Sequence, residues 1–393
     1  MGARGRARRS APRRRPSRRR RARPPAAPGL PVARRAHRAA VVRPRHLRDA
    51  RPRAIPRVRL LQQSAARRAR SGDRGARDAA HPRGARRARA AALVAAHDLD
   101  VLVDLAGHTG HNRLAIFARR PARVAMTWLD YVSTTGMSTI DWRISDALAD
   151  PPGVAERANS ERLMRLPVPA WCWTPPADSP ASGPPPLVRL GTPTFGSFNH
   201  SMKLTDATLA MWRALFALLP AARLVAVGVP AGSSRRRVTD ALAIAPARVE
   251  FAPRLDDAGY RAMFARVDVA LDPLPFSGAT TTLDALWQGV PVVTLPGPWT
   301  WSRSSASLLA GLGAEAWIAR DAGHYASIAC GLVGDGARLA DIRAGLRARV
   351  AASPMTDVAG FVRHLEDAYR CAWTAYVSGQ LHRDDEVGVR AAC

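Results

Sequence analysis

The stretch VDVALDPLPFSGATTTLDALWQGVPVVTL, residues 267–295, decides the fold. Val267 to Leu271 is short, mostly apolar and rich in valine, and it ends at prolines, so it reads as a buried strand rather than a helix. A turn with Gly278 and three threonines follows, then helical spacing over Thr282–Gln288, then a second strand over Pro291–Leu295. Strand, turn, helix, strand is the repeating unit of a parallel α/β sheet. A helix beginning just beyond a strand's carboxyl end offers free backbone N–H groups and a partial positive charge, which suit a diphosphate. The Gly278 turn and the hydroxyls of Thr280 and Thr281 add donors there, and Asp284, read as lying in the first turn, is placed to accept from ribose hydroxyls. The alternative is that Thr280 or Thr281 only caps the helix.

Upstream, the same alternation predicts a strand over Thr194–Phe198, followed by a short polar turn that carries Lys203. This is the only lysine among 60 basic residues. A compact ammonium at a strand end serves as a point charge for a phosphate oxygen, a task the planar arginine fork does not duplicate. A solvated surface lysine is the competing reading; taken together with the phosphate-suited helix start at Gly278–Asp284, the first is favoured. The remaining pattern continues with helix Asp206–Leu219, strand Arg223–Gly228, helix Ser234–Ile244, strand Val249–Phe251, helix Asp257–Arg266 and helix Arg303–Leu312. Before it, Leu99–Leu105 and Arg123–Trp128 read as strands and Arg113–Arg119 as a helix start. Between the two runs, TPPADSPASGPPP at 174–186 is too rich in proline, serine and glycine for a regular element. Two α/β lobes with a cleft between them are therefore expected, over residues 91–180 and 181–374, with a tail at 375–393.

The first 90 residues differ in kind. They hold 31 arginines, three aspartates and no glutamate, which is +28 of the chain's +29, and they lack Phe, Tyr and Trp. Such a composition cannot bury enough apolar surface to offset the entropy of ordering, so a disordered leader is expected. A basic arm for nucleic acid, a transit peptide, and a GC-rich message read in the wrong frame are the three readings; the third best explains an aromatic-free segment that meets ordinary globular sequence near residue 91. The nearly neutral body argues against a protein built around nucleic acid. The sequence has no apolar run of about 18 residues, so no membrane span is expected, and the unpaired spacing of its cysteines reads as that of a cytosolic protein. Cys172, Cys330, Cys371 and Cys393 have no paired metal-binding spacing, and no acidic cluster has the look of a metal site.

Several segments together carry a resemblance. FSGATTTLDALWQGVPVVTLPG (276–297), FGSFNHSMKLT (195–205), SRSSASLLAGLG (302–313), FVRHLEDAYRCAW (361–373), DVLVDLAGHTGHNRLAIFARRPARV (100–124) and ERLMRLP (161–167) resemble the catalytic region of the O-linked N-acetylglucosamine transferase family, including its bacterial SPINDLY-type relatives. The resemblance implies a GT-B fold of two Rossmann-like lobes and an inverting, metal-independent transferase, with a UDP-sugar as donor substrate and a protein as acceptor. It implies that Lys203 contacts the diphosphate, that Thr280 and Thr281 supply donors at the helix start, and that Asp284 holds the ribose. His200 falls where family members carry Gln or Asn beside the nucleotide. His108, in Gly107-His108-Thr109, matches a family turn facing the cleft and is the candidate to orient or deprotonate the acceptor. Arg303 matches a recurrent family arginine of structural or donor-side role. Asp130, Val132, Ser133 and Tyr260 depart from the family pattern. The family's opening strand and preceding tetratricopeptide repeats are not recognisable in residues 1–90, so the first lobe is expected to be incomplete. A truncated relative that binds only nucleotide or partners is the alternative to an active transferase.

Overall fold

In the structure, a computed structural model, residues 58–61 and 83–382 are described. Most of the basic leader and the last residues of the tail, 383–393, lie outside them. The arginine runs on which the nucleic-acid reading of the leader rests, Arg8-Arg9 and Arg18–Arg21, also fall outside the described residues.

Two parallel sheets form the core. The first is built from β1 (Val58–Leu61), β2 (Val101–Asp104), β3 (Val124–Thr127), β4 (Trp142–Asp146) and β5 (Arg162–Leu166), in the spatial order β1-β2-β3-β4-β5. The second is built from β6 (Thr194–Ser197), β7 (Arg223–Val227), β8 (Val249–Ala252), β9 (Val269–Leu271) and β10 (Val292–Val293), in the order β10-β9-β6-β7-β8. All ladders are parallel, and helices cover the strands, so β2, β3, β6 and β9 are buried along their whole length. Parallel strands covered on both faces are continuous apolar runs, which is why they are legible in the sequence.

Three expected boundaries are corrected. The strand β1 falls inside the stretch expected to be unstructured, where it pairs with β2 from Val58↔Val101 to Leu61↔Asp104. The helix Arg83–Ala95 crosses the border expected at residue 90. Alanine, arginine and leucine are strong helix formers, and the helix places Val94 against the buried Leu99, Leu102 and Phe117. At the other end, the helix Val358–Val377 runs past the expected lobe end at 374, and its partners lie in the first lobe. Its Phe361, Leu365, Ala368, Tyr369, Ala372 and Ala375 share one core with Val101, Val103, Met126 and Trp142. The rings of Phe361 and Trp128 stack with centroids 5.6 Å apart. The chain thus crosses from the first lobe to the second near Trp173 and returns near Met355. At that seam, the Trp173 backbone N–H donates to the Met355 carbonyl at 2.8 Å.

The Pro-rich crossing at 174–185 contains no helix or strand, as its composition predicts, but it is fastened down. Arg261 pairs with Asp178 at 2.6 Å, Arg343 donates to the Gly183 carbonyl at 3.2 Å, and Arg347 donates to the Pro180 carbonyl.

Polar groups also join the lobes. Arg143 of β4, 3% exposed, forms an ion pair with Asp150 and donates to Thr300 of the second lobe at 3.3 Å. Ser307 donates to Asp146 at 2.8 Å. The Arg303 Nε reaches the Leu148 carbonyl at 2.6 Å and its Nη1 the Gly297 carbonyl at 2.9 Å, one in each lobe. Burial pushes the Arg303 guanidinium below its ordinary value, and Asp150 and Asp146 oppose that. Arg303 is therefore a clasp between the lobes.

Candidate functional site

The second sheet reverses direction between β6 and β9. Chain order runs outward through β7 and β8 on one side and through β9 and β10 on the other. At such a reversal the loops leaving the two central strands diverge and open a crevice beyond their carboxyl ends. Pairing of Phe195 with Val269 and Gly196 with Ala270 places the turn after β6 beside the loop after β9. These are the two segments that carry Lys203 and Gly278.

Lys203 ends a single 3-10 turn, Ser201–Lys203. Its Nζ donates to the Ser277 carbonyl at 2.7 Å and to Asn199 Oδ1 at 3.4 Å. An ammonium has three donors. Two are used on neutral oxygens, and the third has no partner among the described residues. Burial pushes Lys203 below its ordinary value, and the charge of Asp272 acts to restore it. Asn199 Oδ1 also accepts from the Thr281 hydroxyl at 3.2 Å, which ties the lysine turn to the helix across the crevice.

The helix begins at Thr280, two residues earlier than its apolar spacing predicts, and spans Thr280–Trp287. Its N-cap is Ala279, and no side chain caps it. The capping alternative for Thr280 and Thr281 is thus not what the helix uses, and the first N–H groups are left uncapped. The Thr280 hydroxyl has no hydrogen-bond partner among the described residues. Thr282 is instead turned inward, sharing a hydrogen bond with Ser305 at 2.7 Å, and Ser305 donates to the Gly278 carbonyl at 2.9 Å. With the helix beginning at Thr280, Asp284 opens the second turn rather than lying in the first, and it is half-buried.

Gly278 is required by close packing. A Cβ there would lie 2.5 Å from Thr281 Oγ1, 2.8 Å from Thr282 Oγ1 and 3.0 Å from Asp272 Oδ1. The loop before it is held by Ser277, whose N–H and hydroxyl both donate to the Trp301 carbonyl, at 3.0 and 3.2 Å.

His200 precedes the lysine turn. Its Nδ1 lies 3.2 Å from the Met202 N–H and its Nε2 3.0 Å from Arg254 Nη2. Both neighbours are donors, and a neutral imidazole accepts at one nitrogen only, so the two contacts are alternatives. Burial, then the charges of Arg254 and Lys203, push His200 below its ordinary value and favour that neutral form. Tyr260 lies under this edge, buried against Phe198 and Phe264 with centroids 5.8 and 5.2 Å away.

In the first lobe, Gly107 and His108 follow β2. The Gly107 N–H donates to the buried Asp104 at 2.6 Å, and φ of +48° with Tyr131 Cβ 2.3 Å from any added Cβ admits only glycine. His108 is exposed, stands edge-on to Tyr131 at 5.2 Å, and holds the Thr135 carbonyl with Nε2 at 2.8 Å. A carbonyl only accepts, so in the neutral ring Nε2 carries the proton and Nδ1 the lone pair. Among the expected residues, Lys203, Gly278, Thr280, Thr281 and His200 gather around one crevice, with Asp284 on the adjoining helix. His108 belongs to the other lobe and Arg303 to the seam. Asn199, Ser277, Asp272 and Arg254 were not expected. Asn199 and Ser277 adjoin expected residues in sequence, and Asp272 and Arg254 lie just beyond the ends of β9 and β8; those positions were the available signal.

Among the described residues, no group of three or more His, Cys, Asp or Glu stands close enough to hold a metal ion, and no helix is long and apolar enough to cross a membrane.

Two parallel α/β sheets joined by a returning C-terminal helix, with a cation and an uncapped helix start at a sheet reversal, define a protein of the GT-B type. The profile of Glycosyl transferase family 41 matches residues 84–170 and 192–365, and the chain belongs to that family. It is similar to a probable UDP-N-acetylglucosamine–peptide N-acetylglucosaminyltransferase SPINDLY of Petunia hybrida, 36% identical over 72% of this chain and 31% of the relative. The corresponding protein of Oryza sativa subsp. japonica is 37% identical over 74% of this chain and 32% of its own length. Among solved structures, a lysine-to-methionine mutant of the Thermobaculum terrenum O-GlcNAc transferase superposes with a TM-score of 0.70 at 37% identity, covering 75% of this chain and 56% of that one. The chain spans about a third of the length of the curated relatives it matches.

Proposed function

We propose that this chain is an inverting glycosyltransferase that moves a sugar, N-acetylglucosamine by its relatives' names, from a UDP-sugar to a serine or threonine hydroxyl of a protein. The observation that carries this reading is the open third donor of Lys203 beside an uncapped helix start at the reversal of the second sheet. A diphosphate placed there meets the ammonium, the first helical N–H groups and the Thr280 hydroxyl. Asp284 and His200 then flank the nucleoside. In transfer, the acceptor oxygen bonds to the anomeric carbon from the opposite face as the bond to the β-phosphate oxygen breaks. Negative charge collects on the departing UDP, and the lysine and helix terminus stabilise it without a metal. The hydroxyl proton passes to a base, and His108 with its free Nδ1 is the first-lobe group suited to take it.

Replacing Lys203 by alanine tests the reading. A charge-assisted hydrogen bond contributes about 1.5–3 kcal/mol, so UDP-sugar affinity and turnover should fall roughly 10- to 100-fold. Unchanged values in calorimetry and a sugar-transfer assay would refute the role. A second reading, a nucleotide-binding relative without transfer, rests on the same crevice, because the groups gathered there would contact a donor and none of them an acceptor. UDP binding with no release of UDP from UDP-N-acetylglucosamine, in the presence of protein acceptors, would select it.

A further inference from the structure

Beneath the crevice lies a carboxylate that the proposed chemistry leaves unused. Asp272 follows β9 and is 2% exposed. Its Oδ1 accepts from the Gly278 N–H at 2.6 Å and its Oδ2 from the Thr294 hydroxyl at 2.7 Å. Burial pushes its carboxyl above its ordinary value, and the hydrogen bonds from Thr294 and Gly278 and the charge of Lys203 oppose that. One peptide unit lies between Asp272 and Lys203: the Ser277 carbonyl accepts from the ammonium and the adjoining Gly278 N–H donates to the carboxylate, and no direct hydrogen bond joins the two charges among the described residues.

That separation has a use. A buried ammonium whose hydrogen bonds go to neutral oxygens loses its hydration and tends to shed its proton. A carboxylate in direct contact would prevent this but would occupy the donor that a ligand needs. Here one carboxylate oxygen is engaged by Gly278 and the other by Thr294, which hold it back from the lysine. We propose that Asp272 is a positioning residue of the donor site: it fixes the Gly278 loop and supplies the negative charge that keeps Lys203 an ammonium with one donor open for a diphosphate. The inference rests on the reading of this crevice as a UDP-sugar site.

The other titratable groups around the ammonium do not replace Asp272. His200, on the same turn, and Arg254 behind it are neutral or positive, so they do not favour the ammonium. Tyr325, from the helix Ala322–Val333, donates to the Asp272 carbonyl at 3.2 Å; burial pushes its phenol far up, so it stays neutral. Asp284 is the acid of the helix opposite, and Asp272 is the carboxylate whose charge acts to raise Lys203.

The single lysine of the chain makes the test direct. Full-length protein labelled with 13C at lysine Cε gives one side-chain signal, and its pH titration reads Lys203 without assignment. In Asp272→Asn, the midpoint should fall by about one unit or more, as expected on removing a nearby opposite charge. Affinity for UDP-N-acetylglucosamine, measured by calorimetry, should be lost at a correspondingly lower pH on the alkaline side. The uracil titrates identically in both experiments, so the shift between proteins is the readout. Thr294→Val keeps the carboxylate and frees one of its oxygens, so the lysine midpoint should not fall. A midpoint unmoved by Asp272→Asn, or moved equally by Thr294→Val, overturns the proposal. If Asp272→Asn fails to fold by circular dichroism, the wild-type lysine signal decides: it should show a second inflection on the acid side as Asp272 takes a proton, and its absence overturns the proposal. If the lysine behaves as expected and UDP-N-acetylglucosamine does not bind at any pH, the coupling stands and the UDP-sugar reading falls.

Discussion

The two sheets have the same parallel chemistry but different uses. The second reverses its strand order between β6 and β9 and so opens a crevice lined by backbone donors and one lysine. The first keeps its described strands in chain order and shows no reversal. It offers the exposed His108 turn, and its core is completed by a helix from the far end of the chain. A sheet's ability to hold a ligand thus follows from where its strand order turns, more than from what its strands are made of. The crevice is built within the second lobe, whereas the first lobe depends on remote sequence for its core.

That contrast can be broken most forcefully at Phe361. Truncating this buried ring to alanine should cost about 3–5 kcal/mol, read by denaturant unfolding. If the lobes differ as described, binding of UDP by the folded fraction should be unchanged. A loss of affinity in step with stability would show that the crevice needs the returning helix. Arg143 tests the seam next. Arg143→Met leaves Asp150 buried without its ion pair, at a cost of about 3–5 kcal/mol when such a pair is broken from one side. Partial relief is expected here because Ser145 and Thr300 still donate to Asp150, which places this effect below that of Phe361.

His108→Ala sharpens the division of labour. A positioned base contributes at least about 100-fold, so turnover should fall by that order while UDP affinity holds; a parallel fall in affinity would place His108 on the donor side instead. The smallest effect concerns Cys172, which shares the first-lobe core with Phe361. Burial, and secondarily the charge of Asp357, pushes its thiol up to about 11. It should resist alkylation at pH 8 in the wild type and react in Phe361→Ala, with the half-buried Cys330 as the internal control followed by mass spectrometry.

The sequence made the second lobe far more legible than the first, for a physical reason. Strands β6, β7 and β9 are apolar on both faces, and their turns carry the residues that face the crevice, so periodicity and turn chemistry pointed to the same place. Strands β4 and β5, WRISD and RLMRL, were not read as strands because arginine and aspartate interrupt them. In the fold Arg143 and Asp146 are buried because each finds a partner across the seam, a compensation that no local pattern records. The helix at Thr280 was placed two residues late because three β-branched threonines resemble a turn more than a first helical turn. Asp272 escaped notice for a similar reason: an acid after a strand looks solvated until the loop that folds over it is known.

The hydrogen bond between Trp173 and Met355 has a mechanical meaning. The two passages of the chain between lobes run side by side there, and the segment beyond Trp173 is bolted to the second lobe by Arg261, Arg343 and Arg347. Any widening of the cleft that preserves this bond must therefore turn the lobes about a single pivot. In such a motion the pivot itself moves least, and the displacement of any group grows with its distance from that axis.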